Sequence, residues 1–400
     1  MNYKLNHRDN DIDWLLIIFL ISLFGNAIRI DIGIYISMTY FCVILMLLKV
    51  IFTRKKLIIP RRIWLLVVSI VIFYFYSFLT AIYSYDIESS IKYVIGGALL
   101  ILIVGVATMY YYIYKPHLMT TLTIFSKVYV LITLVSYFLG LMFMDLGHEH
   151  ATYYGVFIEK SLPRLKGITI DPNFASLTLV FCFFIFFGQK YTRKNVFLLA
   201  VTLFLIFATL SRSGVISLII SFLIISLILD FKKNLIKIIF LIVFLSAFVY
   251  FSIDFAFFDY EVFIEKRISG IENGAGRFDM WINAYELFLI NPTFGSGAFT
   301  FRDLNEFYYN SSRFAHNTYI EVLVEMGIVG FLLYILMILN LMLFSYSNKQ
   351  IRVFIFPSFI SFLIMLFTLS LYINSVSIFF YIIAIYAHGC ELNLIKEEVL

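Results

Sequence analysis

The apolar residues of this chain arrive in unbroken blocks of about 15–25, the length that crosses a hydrocarbon core ~30 Å thick. Lipid offers the backbone no hydrogen-bond partners, so such blocks must close their own hydrogen bonds as helices or as barrel strands. Runs such as Val196–Thr209 and Ile236–Ser252 lack the alternation of a barrel strand, which leaves helices. Composition agrees: 62% of the 400 residues are hydrophobic and 14% charged, against roughly 25% charged in a soluble domain. The fold class is therefore an all-α integral membrane protein. Cys42, Cys182 and Cys390 fall inside apolar blocks, with neither disulfide nor metal-ligand spacing. The net charge of +5 reflects membrane topology and gives no reason to expect nucleic acid.

About twelve spans are predicted, at 14–28, 32–52, 63–83, 91–113, 118–143, 172–188, 196–210, 214–229, 236–252, 317–344, 353–372 and 374–391. The first lacks a small-residue cleavage site and reads as a retained span. Basic residues set the orientation. Eighteen lie on one side: Lys4, Arg8, Lys49, Arg54, Lys55, Lys56, Arg61, Arg62, Lys115, Lys190, Arg193, Lys194, Lys232, Lys233, Lys237, Lys349, Arg352 and Lys396. The opposite short loops hold six: Arg29, Lys92, Lys160, Arg164, Lys166 and Arg212. The richer side is expected to be cytoplasmic, with both termini there. Two outward segments exceed a turn, roughly 145–171 and 253–316. The second is a long extracytoplasmic loop within one membrane domain spanning 1–400, and loops of that length are usually functional.

The long loop contains GAGRFDMWINAYELFLINPTFGSG. From Arg277 to Ile290, Met280, Ala284, Leu287 and Phe288 share one face, as in an amphipathic helix lying on the membrane or on the bundle. Asn291-Pro292 ends it, and Gly295 with Gly297 predicts a flexible turn where backbone could approach a ligand. Arg277 itself reads either as a snorkelling interfacial residue or as a binding group. His316, just before the tenth span, is a candidate proton acceptor near neutral pH or a polar cap that Asn317 could equally provide. Glu321 and Glu325 fall about 140° and 180° around a helix from His316 and are expected to face other helices. Arg212, in the tight turn ATLSRSG, must sit near the outer interface, where snorkelling and function are both possible. Lys127 falls near mid-bilayer in the fifth span and needs a carboxylate, a cavity or a bend. Asp171-Pro172 is a natural helix start, which leaves Arg164 and Lys166 beside it unexplained. Arg164, Arg212 and Arg277 together suit a phosphate or diphosphate, which guanidinium groups bind in a fork.

Three stretches resemble the O-antigen ligase and polymerase superfamily: RLKGITIDPNFASL, TLSRSG, and GRFDMWINAYELFLINPTFGSG followed by HNTYIEVLVEMGIVG. The last is the most specific, with Gly-Arg, Trp four residues on, Asn-Pro, Gly-x-Gly, His-Asn and Glu-x-Gly. The layout matches over nearly the whole chain, the residue-level motifs over about 80 positions. The resemblance implies a GT-C-like bundle in a bacterial inner membrane, with its site on the periplasmic face. It implies metal- and cofactor-independent inverting transfer from undecaprenyl-diphosphate-linked glycans, which serve as donor and acceptor among the membrane lipids. It assigns His316 as the base, Arg164, Arg212 and Arg277 to the leaving diphosphate, and Asn317 to orienting His316 or the sugar. Lys166, Arg267, Arg302 and Arg313 are weaker candidates. The expected activity is a Wzy-type polymerase of O-antigen or a similar surface polysaccharide, working with a chain-length regulator if it has one. The alternatives are the ligase that loads glycan onto lipid A-core and, from another class, a lipid-linked glycan flippase.

Overall fold

Helix boundaries follow local signals that the sequence carries openly. The structure is a computed structural model, and it describes residues 12–25, 29–31, 35–159, 161–190, 192–228, 277–347 and 352–398. The span expected at 236–252, much of the long loop, and Lys4, Arg8, Lys160, Lys232, Lys233, Lys237, Lys266, Arg267 and Lys349 lie outside the described residues.

Helix α1 (Trp14–Ser22) starts where the Asp13 carboxylate accepts the Leu16 N–H, 3.1 Å. Expected to run to 28, it stops at Ser22, and the chain enters an antiparallel hairpin of β1 (Arg29–Asp31) and β2 (Tyr35–Ser37). That hairpin also delays α2 (Met38–Phe52), six residues after the expected start, with Ser37 as its cap. Next come α3 (Arg61–Ala81) and α4 (Ile87–Tyr114), the latter capped by Asp86. α5 (Leu118–Phe143) leads into a three-stranded antiparallel sheet of β3 (Thr152–Tyr153), β4 (Val156–Glu159) and β5 (Leu162–Leu165). The two sheets are the departure from a wholly helical chain.

α6 (Pro172–Phe187) begins at the Asp171 cap with proline in its first position, followed by α7 (Arg193–Ala208) and α8 (Arg212–Ile228). Beyond the undescribed residues lie α9 (Arg277–Ile290), α10 (Phe301–Tyr309), α11 (Thr318–Ser347), α12 (Arg352–Met365) and α13 (Ser375–Glu398). α12 ends seven residues before the expected 372. There the chain unwinds so that the Leu366 and Leu369 carbonyls receive the first N–H of α11, from Thr318, at 2.8 and 3.0 Å. α3, α4, α5 and α11 are long and apolar enough to cross a membrane; α2, α6, α8, α12 and part of α13 are shorter apolar helices.

α6 is apolar all round and nearly every side chain on it is buried, which makes it a central helix. Phe125, Phe181, Phe379 and Phe380 meet edge-to-face or tilted around it. Between apolar helices in lipid, specificity comes from packing and from polar pairs worth about 0.6 kcal/mol each. Here these include Ser221 on α8 with Ser361 on α12, 2.7 Å, and the Tyr74 hydroxyl donating to the Tyr372 carbonyl, 2.6 Å. Trp64, Leu65, Phe75 and Phe78 on α3 and Leu131, Phe138 and Met142 on α5 stay exposed, as lipid-facing positions would. Lys127 sits on that exposed face of α5, in no buried relay.

Candidate functional site

Four segments distant in sequence converge at one end of this bundle. The first is the sheet. Gly155 donates to the Ser136 carbonyl of α5, 3.1 Å, and its own carbonyl receives the N–H groups of Lys166 and Gly167, at 2.9 and 3.1 Å. Gly167 takes φ +57°, which turns the strand back towards the start of α6. Arg164, on β5 and opposite Phe157, is thereby held almost wholly buried. Its Nε donates to the Thr209 carbonyl, 3.1 Å, and one Nη pairs with the Glu159 carboxylate. The sheet is thus fastened to the α7–α8 turn.

That turn is the second segment. Ser211 Oγ accepts the Gly214 N–H as the cap of α8 and is hydrogen-bonded to Asn173 Oδ1 of α6, 2.7 Å. The Pro-Asn and Ser-Arg motifs are therefore in contact, and Arg212, first residue of α8, is exposed beside them. The third segment is α9, whose first residue is Arg277. Its pKa is lowered first by burial, then by the positive charge of Arg212, with Arg164 adding and Asp171 and Glu159 opposing. The three arginines therefore share one electrostatic neighbourhood with two carboxylates, which leaves it positive and suited to an anion.

The fourth segment carries His316. α9 lays Ala284 and Leu287 against Phe301, Leu304, Ala315 and Val324, and its Met280 sulfur receives Asn305 Nδ2 and Ser311 Oγ, so this face covers the bundle. Trp281 Nε1 donates to the Ala315 carbonyl, 3.0 Å, and Asn305 Nδ2 donates to the Ser311 carbonyl, 2.5 Å. Held from both ends, His316 adopts φ +48° and stays accessible to solvent. Its pKa is lowered first by loss of solvation among the surrounding groups, then by Arg277, with Asp171 opposing and Arg313 adding. A depressed value keeps the imidazole neutral at pH 7 and able to take a proton.

Several expectations need correction here. His316 lies outside the helix, so the wheel that turned Glu321 away from it does not apply. Glu321 reaches back: its carboxylate accepts the Ser370 hydroxyl, 2.6 Å, and lies near the backbone N–H groups of Ala315 and His316. Asn317 is committed to capping α11, with Oδ1 accepting from Tyr319 N and Ile320 N at 3.1 and 3.3 Å. This is the capping role the sequence also offered it. The turn at Gly295 and Gly297 makes its close approach to protein backbone. Ser296 N and Gly297 N donate to the Val324 and Glu325 carbonyls at 3.1 and 2.8 Å, filling the break in α11 at Gly327. A Cβ on Gly295 would stand 2.4 Å from the Glu325 carbonyl carbon. Glu325 accepts from Phe299 N, Phe301 N and the Tyr372 hydroxyl, which anchors the start of α10.

Lys166 joins the rim, its Nζ 3.3 Å from Thr152 Oγ1 and its pKa lowered by burial against the pull of Asp171. Arg313 is an electrostatic neighbour of His316, whereas Arg302 points to Asp303 and the Phe314 ring. Arg267 lies outside the described residues. Sequence reasoning missed Glu159 as the partner of Arg164 and Trp281 as the tie to Ala315. The tryptophan was visible in the motif, but nothing in the spacing named its acceptor.

Residues 196–335 match a family model described as O-antigen ligase. That stretch holds Arg212, Arg277 and His316 and runs from α7 past the break in α11; Arg164 precedes it. No curated protein matches the chain.

Proposed function

We propose that the chain, whose residues 196–335 match a family model described as O-antigen ligase, is a membrane glycosyltransferase that polymerises lipid-linked oligosaccharide repeats into O-antigen or a similar surface polysaccharide. The observation that carries this reading is the convergence of Arg212 and Arg277, with Arg164 behind them, beside a histidine whose pKa is lowered first by burial and then by Arg277. The donor is a glycan on undecaprenyl diphosphate, and the acceptor is a hydroxyl at the non-reducing end of a second lipid-linked unit.

In the reaction, His316 removes the acceptor proton as the oxygen attacks the anomeric carbon. The bond from that carbon to the phosphate oxygen breaks, and the electron pair leaves on the lipid diphosphate. Attack opposite the leaving group inverts the anomeric centre. Arg212 and Arg277 neutralise the charge that grows on the diphosphate, a preorganised electrostatic role commonly worth a few kcal/mol per donor. Arg164 has its Nε and one Nη committed to Thr209 and Glu159, so it chiefly positions the other two. Asp171 balances the cluster when no anion is bound and opposes excessive depression of His316. The site faces the periplasm in this reading, the termini lie in the cytoplasm, and a chain-length regulator is a compatible partner.

The family description favours a second reading, ligation of finished glycan to lipid A-core, because the donor half of the site serves either acceptor. Deleting the gene separates the readings. A polymerase leaves lipid A-core capped with a single repeat, whereas a ligase leaves bare core with lipid-linked polymer accumulating. Bare core with single lipid-linked units trapped inside would point to a flippase and overturn both. Complementation with His316→Ala or Arg277→Ala, in protein shown to be stably inserted, is expected to give no polymer. Normal polymer from either variant would remove that residue from the mechanism.

A further inference from the structure

A second cluster of chemistry-bearing residues stands on the other flank of the His316 segment. Tyr93 of α4 and Phe299 stack with 22° between their planes, and Phe299 meets Phe314 with ring centroids 5.5 Å apart. All three rings are half-buried, and Tyr93 and Phe314 belong to neither apolar core. The Arg302 guanidinium stands 5.9 Å from the Phe314 centroid and its Nε is 3.8 Å from the Asp303 carboxylate. Asp303 has its pKa raised, first by burial, with Arg302 opposing and Asp86 and Glu306 adding. These charges are distinct from Asp171, Glu159, Arg164 and Arg212, which surround Arg277. The His316 segment joins the two groups. Phe314 precedes His316 by two residues, a reach of at most about 7 Å.

We propose that Tyr93, Phe299, Phe314, Arg302 and Asp303 form the subsite that holds the acceptor sugar. The inference rests on the reading that His316 deprotonates a sugar hydroxyl, and it deepens that reading by saying what presents the hydroxyl. A pyranose has an apolar C–H face, slightly electropositive, that lies well on the negative face of an aromatic ring. Its rim carries hydroxyls that are donors and acceptors at once. A carboxylate supplies only acceptors and a guanidinium only donors, so an Asp–Arg pair beside the rings meets both needs of a vicinal diol. The arrangement has little for a diphosphate, because Arg302 is offset by Asp303, Asp86 and Glu306. Donor and acceptor are then bound on opposite sides of the base, so that one hydroxyl meets one anomeric carbon at His316.

The test uses the full chain in lipid nanodiscs. The probe is the oligosaccharide released by mild acid from the lipid-linked glycans of cells carrying the gene; it bears no phosphate. Saturation transfer from protein aromatic protons to sugar protons reports its binding. Wild type is expected to bind, Arg302→Ala and Phe314→Leu to weaken binding about tenfold, and Arg277→Ala to bind as wild type. No binding by wild type, unchanged binding by Arg302→Ala, or equal loss in Arg277→Ala would overturn the proposal. Arg302 is exposed, so its variant decides the matter even if Phe314→Leu fails to insert. Belt aromatics that only anchor the protein in the interface would alter insertion and leave sugar binding alone. Because binding is read without turnover, failure here is separable from failure of the glycosyltransferase reading, which the His316→Ala polymer phenotype reports.

Discussion

Gly295→Ala gives the sharpest test of how the site is braced. Gly295 has φ +77°, a conformation that costs an L side chain about 1–2 kcal/mol. Its new methyl would stand 2.4 Å from the carbonyl carbon and oxygen of Glu325 and 2.5 Å from Gly327 N. These are backbone atoms that cannot swing aside, and overpacking of this kind costs about 1–3 kcal/mol. Relief requires the turn to retreat, which loosens the Ser296–Val324 and Gly297–Glu325 hydrogen bonds, each worth about 1 kcal/mol. The combined cost is on the order of 3–6 kcal/mol, a large share of the 5–15 kcal/mol that holds a typical domain together. Gly105→Ala is the control: a Cβ there meets nothing within 4 Å, and alanine is the better helix former. Thermal unfolding in detergent, followed by loss of the monodisperse species, should show Gly295→Ala melting far below wild type and Gly105→Ala at or above it. Equal melting of Gly295→Ala and wild type would refute the close approach of this turn to the broken helix.

Arg313 lowers the His316 pKa, so Arg313→Gln should raise it and move the acid limb of the pH–rate profile upward. In wild type that limb lies below about 6.5, and an unmoved limb would remove Arg313 from the field at the base. Trp281→Phe keeps a ring and loses the bond to Ala315; a stability loss of about 0.5–1.5 kcal/mol and slower turnover at unchanged donor KM are expected. Unchanged turnover would show that His316 needs no such tie. Asn317→Ala should cost about 1 kcal/mol as a lost cap, recovered in Asn317→Asp, with polymer amount following stability. Polymer lost at full stability would return Asn317 to a role on the sugar.

The long apolar blocks announced α3, α4 and α5 because a helix in lipid needs little beyond length and apolarity. Arg164, Arg212, Arg277 and His316 were singled out by the motifs that carry the family resemblance, and the fold brings them to one end of the bundle. What the sequence hid depends on contacts between remote segments. The hairpin after α1 arises from pairing between 29–31 and 35–37, the second strand inside what reads as the start of the second span. The angle from His316 to Glu321 was computed for a helix that the left-handed His316 does not join. The glycines at 295 and 297 looked like freedom for a ligand because nothing local marks what they approach, Gly327 for the first and Ser84 for the second.

Those contacts give α11 its place in the design. Glu321 and Glu325 are one helical turn apart and both buried, so their carboxylates point into the protein from the same face of α11. A buried carboxylate must be met by donors, and backbone N–H groups are the ones that fix a chain's path. Glu325 takes those of Phe299 and Phe301, and Glu321 accepts the Ser370 hydroxyl beside the backbone of Ala315 and His316. One turn of helix therefore borders His316 on one side and fixes the start of the segment that carries Phe299 and Arg302 on the other. The break at Gly327 is what lets the loop before α10 approach closely enough for this, since its Ser296 and Gly297 amides replace the helix bonds lost there. A straight α11 would have no unpaired carbonyls to offer, and the two flanks of His316 would have nothing rigid in common.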